Sequence, residues 1–354
     1  MKKITLFLPL AFLLFVSPAV AQEEDPSEKY AVSDTLEDFG MFTHDDLLEL
    51  SLRFDVTHYT RKKPKEEYLN ATLTYHISET DSVNKEVRLK SRGEFRNGYC
   101  SFPPLLLNFK KTEFAKEDLS KLEKMKVVTH CQSGNVDYLM KEYLIYKLYN
   151  VLTDTSFRVR LVRIKYINTY KQTKPISSFA FFIEPADLLA ERISAIQTDR
   201  TNLGQNNMDP YLMTRMAIFN YMIGNTDWSV PNQHNCKIMI SQMPDRSSTG
   251  IIVPYDFDYS GLVDATYAIP HESLPIKTVR ERLFLGICRS DEEFLRILGE
   301  FAEKKQAFYD VINNFPYLDD KEKKNMIGYL SQFFDGIDKR NTVLYDIKKN
   351  CKEL

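Results

Sequence analysis

The sequence predicts an α+β chain in two lobes, strands first and helices after. Three observations lead there. Residues 48–109 alternate apolar and polar side chains with period 2. The period changes to helical at Tyr138–Leu152, and helix signals dominate from Pro185 onward. Strand runs followed by helix runs mark the α+β class rather than an alternating parallel sheet.

Leu48, Leu50, Leu52, Phe54 and Val56 alternate with Glu49, Ser51, Arg53 and Asp55, as in a half-buried strand. Thr60–Glu67 is basic, contains Pro64 and reads as a turn. Ala71, Leu73, Tyr75 and Ile77 alternate again, Val87 and Leu89 begin a third strand, and Leu105–Phe109 makes a fourth, an antiparallel meander. Tyr138–Leu152 reads as a helix with a wide apolar face. Phe157–Asn168 and Ser177–Glu184 are strands, and Pro185-Ala186-Asp187 opens a helix. Asp209-Pro210 is an N-cap with proline at the first helical position. Short strands follow near Asn235–Ile240 and Gly250–Tyr255. Ser290-Asp-Glu-Glu293 is a capping box opening a helix to about Asn314, and Asp319 caps another to about Ile337.

The chain has 354 residues, 43% hydrophobic and 27% charged, with a mean hydropathy of -0.36, which fits a globular protein. A net charge of -2 removes the basic footprint of a general nucleic-acid binder. Met1-Lys2-Lys3, an apolar run from Ile4 to Val16 and Ala19-Val20-Ala21 form the three regions of a secretory signal peptide, cleaved after Ala21. The expected organisation is a signal peptide over 1–21, an acidic linker over 22–40, a strand-rich lobe over 41–184 and a helical lobe over 185–354. The expected location is periplasmic or extracellular, with no membrane span after cleavage. Five cysteines in such a compartment permit disulfides and leave at least one thiol free or paired with another chain; their pairing cannot be read from sequence.

The informative stretch is Asn220–Gly261. A helix ends at Gly224, a polar loop presents Asp227, a strand begins at Asn235, and a second strand delivers Asp256 and Asp258. Two carboxylate loops bracketing a hairpin, with an asparagine between them, suit phosphoryl transfer. One carboxylate orients the nucleophile, while an asparagine oxygen and a second carboxylate hold a hard divalent cation.

This stretch resembles the catalytic segment of CotH-type secretory kinases and, more distantly, HipA-type kinases. The resemblance implies a bilobal protein-kinase-like fold binding ATP with Mg²⁺ or Mn²⁺, and a protein or small-molecule acceptor. It implies Asp227 as the catalytic aspartate. Asn235 or Asn232, and Asp256 or Asp258, become the metal ligands. Val87–Gly93 resembles the strand ending in Arg-Gly, which places Arg92 at the phosphates. Leu105–Lys111 resembles the strand with the nucleotide lysine, Lys110 or Lys111. Glu142 becomes that lysine's helix partner and Glu184 the hinge residue. The sequence has neither a G-x-G-x-x-G loop nor His-Arg-Asp. The alternatives are a non-catalytic pseudokinase-like envelope binding or scaffold protein, and a nucleotidyl transferase.

Overall fold

The computed structural model describes residues 40–76, 82–109, 123–242, 249–339 and 342–353. The expected signal peptide, the linker up to Asp38-Phe39, and both Lys110 and Lys111 lie outside the described residues.

Seven strands form the first half: β1 Leu48–Phe54, β2 Leu69–His76, β3 Ser82–Ser91, β4 Leu105–Asn108, β5 Lys124–Val128, β6 Val159–Asn168 and β7 Ile176–Ile183. They close into a barrel in the order β1-β2-β3-β4-β5-β7-β6. Closure comes from a parallel pairing of β1 with β6, from Leu48 opposite Val162 to Phe54 opposite Asn168. The other ladders are antiparallel. This overturns the expected fold: a closed mixed barrel followed by helices replaces a bilobal kinase-like fold with a strand-rich N-lobe and a helical C-lobe. The reason is physical. Alternation identifies a half-buried strand but does not say whether its outer edge is free. Closing the barrel pairs the edges that an open sheet would leave exposed.

One core joins these strands. Leu52, Leu89, Leu105 and Val127 are fully buried in it, with Tyr59 and Tyr166 beside them. Burying each leucine stabilises the barrel by about 1.5–3 kcal/mol. Cutting Leu52 to Ala would cost about 2–5 kcal/mol, because a cavity is left as well.

The helices are α1 Gly40–Thr43, α2 Val56–Lys62, α3 Phe95–Tyr99, α4 Val136–Leu152, α5 Ala186–Arg192, α6 Pro210–Ile223, α7 Asp291–Glu303, α8 Lys305–Asn313, α9 Asp320–Asp338 and α10 Thr342–Asn350. The basic stretch expected as a turn begins inside α2, which Asp55 caps by accepting from the His58 N–H. The single helix expected to run to Asn314 divides at Lys304 into α7 and α8. The Ser290 capping box and the Asp209 and Asp319 caps form as read.

Helix α4 is buried around most of its circumference, Lys141 and Glu142 included. It packs between the outer face of the barrel and the C-terminal helices, with Tyr146 against Phe181 and Phe257. A small sheet in the order β10-β9-β8 completes the second core, with β8 Ala195–Gln197, β9 Cys236–Ser241 and β10 Gly250–Pro254. Disulfides join Cys100 to Cys131 and Cys288 to Cys351, leaving Cys236 as the free thiol. Burial pushes that thiol up to about 12, so it is inert. No helix among the described residues is long and apolar enough to cross a membrane.

Candidate functional site

Helix α6 ends at Gly224, whose left-handed backbone (φ 68°) turns the chain sharply. A Cβ there would lie 2.1 Å from the Tyr329 hydroxyl, so the turn needs glycine. Asn220 and Asn225, both buried, bond to each other at 2.9 Å. Asn225 Oδ1 then accepts the Asp227 N–H at 3.1 Å and fixes the start of the loop. The loop doubles back through mutual backbone bonds between Ser229 and His234. That brings Asn235 against Asp227 despite a separation of eight positions. Asn235 Nδ2 donates to Asp227 Oδ2 at 2.9 Å and to its carbonyl at 2.8 Å. The other carboxylate oxygen meets His234 Nε2 at 2.8 Å. Asn232 is exposed at the loop tip, where its Oδ1 takes the His234 N–H, so it does not join Asp227.

Strand β10 delivers the second loop. The Asn235 carbonyl accepts the Tyr255 N–H at 3.0 Å, which ties the two loops together. Asp256 follows in a left-handed conformation (φ 63°), held by its N–H donating to the Tyr146 hydroxyl at 2.8 Å. Phe257 is fully buried against Tyr146 and Phe219, and anchors the loop. Asp256 is half-buried, and its carboxylate has no hydrogen-bonded partner among the described residues.

Asp258 is buried. Its Oδ2 accepts from Arg96 Nε at 2.8 Å and from the Tyr267 hydroxyl at 3.0 Å. The same guanidinium donates from Nη2 to Glu142 Oε2 at 2.6 Å. Among the described residues Glu142 thus pairs with an arginine of α3, and the candidate lysines Lys110 and Lys111 lie outside them. Burial pushes Glu142 up to about 8 and Asp258 up to about 6, against the pull of Arg96; Asp256 adds to both shifts. Two carboxylates share one guanidinium, so near neutrality one of them keeps its proton.

Two cations, Arg92 and Lys237, lie within electrostatic reach of a third, Lys126, as does Asp256. Lys126 on β5 lies 4.6 Å over the Tyr255 ring. Its amine falls to about 7, first through burial and then through the charges of Arg92 and Lys237, with Asp256 opposing. Arg92, Lys126 and Lys237 have no ion-pair partner among the described residues. Hydrogen bonds join Asp227 to Asn235, and Asp258 to Glu142 through Arg96; Asp256, Arg92 and Lys237 are tied to the site through their charges on Lys126. Glu184 is committed elsewhere. It is buried, bonds Arg192 at 2.8 and 3.1 Å, and accepts the Arg158 N–H. Sequence reasoning missed Lys126 and Arg96. The available signal for Lys126 was a lysine between buried Met125 and Val127, on the face opposite the barrel core.

The free donors, an Asp256 carboxylate and the Asn235 Oδ1, are hard oxygens of the kind Mg²⁺ and Mn²⁺ prefer. No three His, Cys, Asp or Glu among the described residues are grouped to cage a metal. The donor set therefore fits an ion completed by phosphate and water, not one held by protein alone. A cavity of about 210 Å³ lined by Phe42, Asp45, Lys147 and Arg158 shares no residue with this cluster.

No family model matches the chain, and no curated protein matches it. Among solved structures it is similar to a chain of the Shewanella oneidensis MR-1 toxin–antitoxin complex of HipA, HipB and operator DNA. The TM-score is 0.37 and the identity 12%, over 84% of this chain and 74% of that one. The expectation of a CotH-type kinase finds no support in these comparisons, and the case for function rests on the site.

Proposed function

We propose that this chain is a phosphotransferase that takes ATP with Mg²⁺ or Mn²⁺ and acts outside the cytoplasm. The observation that carries this reading is the half-buried Lys126, which feels the charges of Arg92, Lys237 and Asp256, all four without an ion-pair partner among the described residues. Converging cations suit a polyphosphate, and a free hard-oxygen carboxylate beside them suits the metal that accompanies it. The two disulfides support an oxidising compartment.

Asp256 and Asn235 would hold the metal, whose charge offsets that developing on the phosphates. Arg92, Lys126 and Lys237 bind the phosphate oxygens. Asp227, 36% exposed on its side chain, orients the acceptor hydroxyl and takes its proton. The acceptor oxygen bonds the γ-phosphorus as the β–γ bridging bond breaks, and the electron pair leaves with ADP. His234 and Asn235 hold the Asp227 carboxylate in one orientation.

The test is incubation of the mature chain and an envelope extract with α- or γ-labelled ATP. Transfer of the γ label, lost in Asp227→Asn, is the expected result. Transfer of the α label would replace the reading with nucleotidyl transfer. A second reading, non-catalytic nucleotide binding, is favoured by one observation: Asp227 and Asp258 are already occupied by protein partners. Saturable ATP binding with neither label transferred would select it.

A further inference from the structure

We infer that Arg96 takes the place of a second divalent cation, so that the site accepts one metal ion and supplies its other positive charge from the protein. This rests on the nucleotide reading above. Phosphoryl-transfer sites commonly bring two metal ions to the phosphates. Asp258, two residues beyond Asp256, is the carboxylate a second ion would use. It is 5% exposed, and its Oδ2 is committed to Arg96 Nε and Tyr267. Glu142, 1% exposed, commits Oε2 to the same guanidinium. Arg96 therefore sits between two buried carboxylates, and a divalent ion brought there would meet a fixed positive charge.

Two unfilled polar groups adjoin this point. Among the described residues, Glu142 Oε1 is buried without a partner and no bond to Arg96 Nη1 occurs. Nη1 is a donor left over for an anionic oxygen, and guanidinium–phosphate bonds are charge-assisted. The guanidinium is also held in place. The Arg96 carbonyl accepts the Cys100 N–H, and the Cys100–Cys131 disulfide fastens α3 to the chain leaving β5. Phe95, Tyr99 and Tyr259 pack on Tyr267 at 5.6, 5.1 and 5.9 Å and cover the network.

The test is equilibrium dialysis of the wild-type chain against Mn²⁺ and a non-hydrolysable ATP analogue, with bound Mn²⁺ counted by electron paramagnetic resonance. The expected count is one Mn²⁺ per chain. Two per chain would overturn the inference and leave the nucleotide reading standing. None would remove the nucleotide–metal reading and the inference with it. Arg96→Ala adds a second readout. If its circular dichroism matches wild type, it should bind a second Mn²⁺ and melt at a higher temperature when Mn²⁺ is added without nucleotide. A folded Arg96→Ala chain that keeps one site and gains no stability from Mn²⁺ would overturn the inference. If that variant does not fold, the wild-type count decides.

Discussion

Glu184 with Arg192 and Glu142 with Arg96 are both buried carboxylate–guanidinium pairs, yet they are built to different standards. In the first pair both carboxylate oxygens are bonded, and Arg192 also donates to the carbonyls of Asp154 and Ser156 at 2.7 Å. Every strong group is satisfied, and the pair ties the end of β7 to α5. In the second pair one guanidinium serves two carboxylates, and Glu142 Oε1 has no partner among the described residues. An unsatisfied buried oxygen costs about 1–3 kcal/mol, more when charged. Only the first pair serves the fold alone. The satisfied one is a brace; the unsatisfied one faces a place for something further.

The largest expected effect comes from breaking the brace. Arg192→Met leaves Glu184 buried and uncompensated, and should cost about 3–5 kcal/mol in urea denaturation. Nucleotide binding per folded molecule should not change. A loss of stability under about 1 kcal/mol would erase the contrast between the pairs.

The second effect is a pH slope belonging to the other pair. Burial pushes Glu142 up from an ordinary 4.5 to about 8, so in that window the folded state holds a proton that the unfolded state has released. Stability is therefore fully present below pH 4.5 and falls as pH rises through 8, with Asp258 adding in the same direction. Glu142→Gln should flatten this slope, read from urea midpoints at pH 5, 6.5 and 8. An equal slope in wild type and variant would assign the titration elsewhere.

The third effect concerns Lys126. Its amine loses its charge near pH 7, and only the charged form attracts phosphate. ATP affinity by calorimetry should fall severalfold between pH 7 and 9. In Lys126→Arg it should stay level, since arginine keeps its charge throughout. The smallest effect is that of Tyr146→Phe. It removes the acceptor of the Asp256 N–H, should cost about 1 kcal/mol of stability, and should weaken Mn²⁺ binding with nucleotide. Unchanged Mn²⁺ affinity would show that the left-handed Asp256 backbone holds without Tyr146.

Much of this site was legible because its parts are local. Gly224, Asp227, Asn235, Asp256 and Asp258 lie within forty residues, and the turn and strand signals around them are strong. Glu142 was legible as a residue but its partner was not. Arg96 lies on a five-residue helix with no period to read, and its pairing is a matter of tertiary placement. Lys126 was missed for a similar reason, since β5 has only five residues. Most of the strands were readable from alternation. The barrel was not, because its closure depends on β1 meeting β6 across more than a hundred residues, which no local pattern encodes.

The most direct measurement is thermal melting of residues 22–354 with and without ATP plus Mn²⁺, in wild type and Asp256→Ala. A ligand that binds only the folded state adds about 2.7 kcal/mol at 100 times its Kd, enough for a rise of several degrees. The expected result is a rise that requires both ATP and metal and vanishes in Asp256→Ala. No rise in wild type, or an equal rise in the variant, would contradict it.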